Sequence, residues 1–133
     1  MSGPAAQTPA RGNGEHVMYV DDEEALVLLT QRLLTRLGYR CTGFSSPEDA
    51  IAAFEANPSE FHAVITDFSM PTMTGAALVE RLRRTRPDLP VAVSSGASDA
   101  AANAAVAAVT PVRIPKPAMP EDLASAMQAL LRR

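Results

Sequence analysis

Four groups of residues have the types and spacing to do chemistry: the paired carboxylates Asp21 and Asp22, the single carboxylate Asp67, the hydroxyls Ser94 and Ser95, and Lys116. Each follows a short apolar run. Taken singly, each has an ordinary explanation. Asp21 and Glu24 stand at capping-box spacing, a lone Asp after a strand is usually a solvated turn residue, paired serines are common in loops, and a Lys at a strand end is usually a surface charge. Taken together, they define a reaction class. Three carboxylates sharing a crevice repel one another, and a divalent cation relieves that repulsion. Oxygen ligands with no His or Cys beside them suit a hard ion, Mg²⁺ first, with Mn²⁺ or Ca²⁺ as alternatives. A carboxylate is ionised at neutral pH and needs no general base. Its attack on phosphorus gives an acyl phosphate. A metal and an ammonium such as Lys116 neutralise charge on the transferring phosphoryl group. Ser95 can donate a hydrogen bond to the same oxygen, and Gly96 leaves the approach open. His16 and His62 fall at the starts of their strands, the wrong end for this chemistry, and no catalytic His is assigned.

The surrounding pattern predicts how these residues meet. HVMYV at 16–20 is a β-type run that ends at Asp21. A helix is expected over 24–37, with Leu26, Leu29, Leu33 and Leu37 at helical spacing and Gly38 as its C-terminal cap. A strand over 39–44 belongs at a sheet edge. Ser46-Pro47-Glu48-Asp49 is a helix start with a hydroxyl cap, a proline at the first helical position and acids in the first turn. Ile51 and Phe54 form that helix's apolar face, and Asn57-Pro58 ends it. The third strand, 63–67, delivers Asp67. A helix over 75–86 turns Leu78, Val79 and Leu82 inward. The fourth strand, 91–95, ends at Ser95, and Ser98-Asp99 opens an alanine-rich helix to about residue 108. A fifth strand over 112–114 precedes Lys116. The last helix opens at Pro120 with Leu123, Met127, Leu130 and Leu131 on one stripe.

Five strands alternating with five helices imply an α/β fold, a parallel sheet with helices on both faces, and right-handed crossovers restrict its topologies to a few, the doubly wound order 2-1-3-4-5 among them. Sites in such sheets form at the C-terminal strand ends where the order reverses. Strands one and three flank that reversal, so Asp21, Asp22 and Asp67 are expected to converge there.

Composition excludes several classes. A chain of 133 residues is the length of one domain, and a net charge of −3 does not supply the basic stripe of a nucleic-acid footprint. Cys41 is the only cysteine, so no internal disulfide forms. No apolar run reaches the roughly 20 residues of a membrane span. The start lacks the apolar segment of a signal peptide. A cytoplasmic protein is the expectation. Residues 1–14, rich in Gly, Pro and Ala, read as a flexible tail or linker ahead of a domain over 15–133.

Four motifs, VDDE after strand one, TDFSMPTMTG after strand three, SSG after strand four and PKP after strand five, jointly carry a resemblance. Over about residues 15–133 the chain resembles the bacterial response-regulator receiver domain of two-component signalling, and among its variants the C-terminal receiver of hybrid sensor histidine kinases. The resemblance implies a flavodoxin-like (βα)5 fold. It makes Asp67 the phosphoacceptor, Asp22 a direct metal ligand with Asp67 and the Ser69 carbonyl, and Asp21 their partner acting through water. It makes Ser95 the switch hydroxyl, Lys116 the phosphoryl-binding lysine, and the peptide before Pro117 cis. It implies Mg²⁺, or Mn²⁺ in its place, and a histidine kinase or histidine phosphotransfer protein as donor. A homodimer stays open, and no direct nucleic-acid or membrane contact is implied. On this resemblance the domain is a self-phosphorylating and self-dephosphorylating acceptor rather than an enzyme with a separate substrate. It would be part of a kinase if the parent chain is a hybrid. The chain departs from the family's pattern at Arg113, where receivers often carry Tyr or Phe three residues before the lysine.

Three other readings compete. A flavodoxin needs a Ser/Thr/Gly phosphate loop after strand one, where this chain has VDDEEA. An aspartate-nucleophile phosphatase resembles a DxD arrangement, with Asp21 in the nucleophile's place. A degenerate receiver would act only as a protein-interaction module.

Overall fold

The computed structural model describes residues 11–96 and 100–132. The elements run β1 (His16–Val20), α1 (Glu24–Arg36), β2 (Arg40–Phe44), α2 (Pro47–Ala56), a short 3-10 turn (Pro58–Glu60), β3 (Ala63–Asp67), α3 (Gly75–Arg83), β4 (Val91–Ser95), α4 (Ala100–Val109), β5 (Arg113–Pro115) and α5 (Pro120–Leu131). All strand pairings are parallel, and the order is β2-β1-β3-β4-β5. This is the doubly wound flavodoxin-like sheet that the family resemblance implies, with β2 at one edge.

The period of two in each strand sorts its side chains onto two cores. Val17, Tyr19, Ile65, Ala92 and Ile114 face one side with Leu34 of α1 and Leu123 and Met127 of α5. Met18, Val20, Val64, Val91 and Val93 face the other with Phe54 of α2, Leu78 and Leu82 of α3, and Val106 of α4. Every residue of β1, β3 and β4 is buried. That is why these strands read as near-continuous apolar runs rather than alternating ones. Covering both faces fixes the register, since a one-residue slip would exchange the two cores.

The helix ends follow local chemistry. Ser46 Oγ accepts from the Asp49 amide at 3.3 Å and caps α2, with Pro47 at the first helical position. Thr74 Oγ1 accepts from the Ala77 amide at 3.1 Å and caps α3. Gly38, at φ +97°, turns the chain out of α1 in the left-handed region that a side chain disfavours.

Several boundaries differ from the expectation. α1 buries Val27, Thr30 and Leu34, while Leu29 is half exposed, so within the helix the buried stripe lies one residue along from Leu26-Leu29-Leu33; Leu37, also expected on the stripe, is buried at the C-cap. A leucine-rich helix offers two such stripes, and packing against α5 chooses between them. α3 ends at Arg83 rather than residue 86, and turn bonds from Thr85 and Arg86 to the Leu82 carbonyl close it. Arg83 then donates to the Leu89 carbonyl (Nε 3.2 Å, Nη2 3.1 Å) and to the Val109 carbonyl. This ties the ends of α3 and α4 to the start of β4. Ser98-Asp99, the expected start of α4, and residues 1–10 of the expected tail lie outside the described residues. Residues 12–14 run beside the end of α1, with Gly12 and Gly14 amides donating to the Leu37 and Gly38 carbonyls at 2.6 and 2.7 Å.

Candidate functional site

β1 and β3 lie side by side while the chain leaves them for opposite faces, so their C-terminal ends open a crevice. Into it β3 delivers Asp67, its last residue, only 3% exposed. The turn after β1 delivers Asp21, fully buried, and Asp22, exposed. One carboxylate oxygen from each of the three can be chosen so that all lie within 4.8 Å of one another. Asp21 does not cap α1, whose N-cap is Glu23. Instead, Asp21 Oδ1 accepts from the Glu23 amide at 3.0 Å and Oδ2 accepts from the Tyr19 hydroxyl at 2.9 Å. Both its oxygens are thereby oriented from within its own chain segment.

Lys116 arrives from the loop after β5, and its Nζ donates to Asp67 Oδ1 at 2.8 Å. The Lys116–Pro117 peptide is cis. On the other side of Asp67, Gly75 packs directly against the strand end. Its amide donates to the Phe68 carbonyl at 2.7 Å, and a Cβ on it would lie 2.4 Å from the Asp67 carbonyl oxygen. Here glycine is required by close approach of two backbones.

The electrostatics of the pair are unequal. Burial raises the Asp67 carboxyl above its ordinary value; the Lys116 hydrogen bond and charge oppose this, while Asp21 and Asp22 reinforce it. For Lys116, burial pulls the ammonium down, but the hydrogen bond and charge of Asp67, then Asp21 and Glu23, more than offset it and hold it above its ordinary value. A firmly charged lysine thus faces a carboxylate that is short of neutralising charge. Tyr19 is raised as well, first by burial and then by Asp21, so its hydroxyl stays protonated and donates.

Ser94 and Ser95 end β4, with Ser94 in register with Asp67. The Ser95 hydroxyl points to α4, where it donates to Asn103 Oδ1 at 2.7 Å. Arg113 Nε donates to Ser95 Oγ and to Asn103 Oδ1, both at 2.9 Å, and its Nη2 donates to the Ser95 carbonyl at 2.9 Å. The structure therefore gathers Asp21, Asp22, Asp67 and Lys116 and gives the Ser95 hydroxyl other partners. Ser69 lies exposed in the β3–α3 loop, two residues beyond Asp67. His16 lies at the opposite end of the sheet, bonded to Glu60 at 2.8 Å and Thr42 at 2.6 Å, and His62 accepts from the His16 amide at 2.9 Å.

The donor set suits a hard divalent ion. All three side chains offer carboxylate oxygens, Asp21 is held with both oxygens fixed, and Asp67 has only one cationic partner among the described residues. Tyr19 and Asn103 did not stand out in the sequence. Asn103 had one signal: it is the only polar side chain in the AAANAAVAAV of α4.

Comparison with known proteins identifies the family. Residues 17–128 match the family model of the response regulator receiver domain. The two-component response regulator ARR10 of Arabidopsis thaliana is 36% identical over 86 residues, 65% of this chain and 15% of its own length. The sensor kinase CckA of Brucella abortus is 32% identical over 118 residues, 88% of this chain and 12% of its own length. The chain thus spans less than a fifth of either relative. A receiver domain protein from Clostridium thermocellum superposes with a TM-score of 0.82 over 90% of this chain and 95% of its own, at 24% identity, which establishes the fold. The chain belongs to the response regulator receiver domain family of two-component signalling.

Proposed function

We propose that Asp67 accepts a phosphoryl group from a phosphohistidine of a histidine kinase or histidine phosphotransfer protein, in a Mg²⁺-dependent reaction. The observation that supports this most is the buried Asp67 carboxylate held between the Lys116 ammonium at 2.8 Å and the two further carboxylates. Asp22, Asp67 and the Ser69 carbonyl would hold the metal, with Asp21 acting through water. Mg²⁺ bound there supplies positive charge that offsets the phosphoryl oxygens as two anions approach.

The residues of the chain divide the remaining work. Lys116 lies on Oδ1 of Asp67 and leaves Oδ2 to attack. The Oδ2–P bond forms as the N–P bond of the protonated phosphohistidine breaks, and the electron pair leaves with a neutral imidazole. Lys116 then shifts part of its charge to a phosphoryl oxygen. Hydrolysis returns Asp67 when water attacks phosphorus and the electron pair of the Oδ2–P bond goes back to the carboxylate. The transfer needs alignment more than covalent chemistry from the protein, and rigid strand ends supply it. No catalytic histidine takes part. On this reading the chain acts as an acceptor module, cytoplasmic, with no DNA contact of its own at a net charge of −3. CckA is a sensor kinase matched across 88% of this chain, so a place within a hybrid kinase is one context the reading allows.

The chemical signature tests it. Protein phosphorylated with acetyl phosphate and Mg²⁺ should lose the phosphoryl group in base and to hydroxylamine, as an acyl phosphate does. Label that survives hydroxylamine contradicts the reading.

A further inference from the structure

We infer that Arg113 is a positioning residue that holds the Ser95 hydroxyl in a resting orientation, so that phosphorylation of Asp67 must open an Arg113–Ser95–Asn103 latch. This inference rests on the phosphoacceptor reading above and concerns how the same site is regulated.

The observations are geometric. Arg113 begins β5, in register with Val93 of β4. Its guanidinium reaches along β4 to the strand end and makes three bonds at 2.9 Å: to the Ser95 hydroxyl, to the Ser95 carbonyl and to Asn103 Oδ1. Ser95 closes the triangle by giving its proton to Asn103 at 2.7 Å. Ser95 is 4% exposed, so no bulk water competes for that proton. A hydroxyl has one proton to donate. While it is committed to Asn103 it cannot serve a phosphoryl oxygen on Asp67. The planar fork of an arginine holds its acceptors in fixed directions, whereas a lysine's three donors rotate on a flexible stem and a hydrocarbon ring offers no N–H donor.

The latch also reaches α4. That helix buries only Ala102 and Val106, and its other side chains are alanines apart from Asn103 and Val109. Its C-terminal end is anchored by Arg83 on the Val109 carbonyl and by Thr110, whose hydroxyl donates to the Val91 carbonyl at 2.8 Å. Nearer its start, Asn103 is the polar tie to β4 and β5. Withdrawal of the Ser95 hydroxyl toward a phosphoryl group removes one bond from Asn103 and one from Arg113. The event at Asp67 thereby loosens the first half of α4 while its far end stays fixed.

The test measures beryllofluoride affinity in Mg²⁺, together with amide hydrogen exchange in α4 without ligand. Arg113→Ala should bind beryllofluoride about fivefold more tightly than the parent, the equivalent of one net hydrogen bond no longer broken on binding. It should also exchange faster across residues 100–105. In a Ser95→Ala background, the same Arg113 substitution should leave affinity unchanged. Arg113→Lys, which keeps the charge and the bulk without the fork, should fall between. An Arg113→Ala protein that binds equally or more weakly overturns the inference. So does an identical gain in the Ser95→Ala background, which a purely structural role would give. Beryllofluoride that binds no form, the parent included, overturns the phosphoacceptor reading and this inference with it.

Discussion

Gly75 gives the account its most quantitative test, because the site depends there on a missing atom. A Cβ built at Gly75 lies 2.4 Å from the Asp67 carbonyl oxygen, 3.0 Å from Phe68 Cα and 3.1 Å from the Asp67 carbonyl carbon. All three are backbone atoms, so no rotamer change relieves the contact. An ordinary carbon–oxygen separation requires the end of β3 and the start of α3 to part by about 1 Å. Overpacking of this kind costs about 1–3 kcal/mol. Loss of glycine's freedom in the unfolded chain returns roughly 0.4–1 kcal/mol. The net for Gly75→Ala is about 1–2 kcal/mol of destabilisation, or roughly 4–8 °C in Tm for a domain of this size. The displaced carbonyl belongs to Asp67 itself, so phosphoryl transfer should suffer beyond the stability loss, by up to about a hundredfold for a misplacement near 1 Å. Gly96→Ala is the control, since no described atom lies within 4 Å of its Cβ position. Thermal melting of both variants, and acetyl phosphate labelling of Gly75→Ala beside the parent, provide the assay. A Gly75→Ala protein that melts with the parent and labels at the parental rate refutes the reasoning.

Three further outcomes follow from the electrostatics. Burial, with Asp21 and Asp22, raises the Asp67 carboxyl despite Lys116, so the folded protein holds that proton more tightly than the unfolded chain. Stability therefore falls as pH rises from the unfolded value through the folded one. Asp67→Asn should melt above the parent at pH 7 without metal, with a gain that shrinks toward and below about pH 4. Mg²⁺ at about ten times its dissociation constant should raise the parent by about 1.4 kcal/mol and the Asp67→Asn variant by less, and equal shifts in differential scanning calorimetry would contradict the shared site. Burial also pushes the Cys41 thiol up to about 12, so its thiolate is scarce. Iodoacetamide at pH 8 should modify native protein at least about a hundredfold more slowly than unfolded protein, and equal rates would contradict that burial.

The legible parts of this protein are those whose signals are local. Ser46-Pro47 places the start of α2 because the cap and the proline act within one turn. The alternation of apolar runs with helical stripes gives a parallel sheet, since parallel strands need crossovers, and the four motifs at the strand ends carry the resemblance that implies its order. From that order the meeting of Asp21, Asp22 and Asp67 follows. The face of α1 was not legible, because Leu26, Leu28, Leu29 and Leu33 offer more apolar positions than the core can take, and only packing selects Val27 and Leu34. The bond from Tyr19 to Asp21 was hidden for a different reason. Tyr19 reads as a strand residue, and only the curl of the chain after β1 brings the next carboxylate under its hydroxyl. Likewise, the partners of Ser95 come from α4 and β5, 8 and 18 residues onward, a distance over which sequence carries no spacing rule.

If Asp67 is the acceptor, the intact mass of the protein must report it. The protein is incubated with acetyl phosphate, with and without Mg²⁺, beside Asp67→Asn. The account predicts the gain of one phosphoryl group by the parent only with Mg²⁺, and none by the Asp67→Asn variant, which retains its fold by circular dichroism. A parent that gains no mass with Mg²⁺ and a competent donor contradicts the claim. An Asp67→Asn variant that gains the same mass also contradicts it, and moves the nucleophile to Asp21.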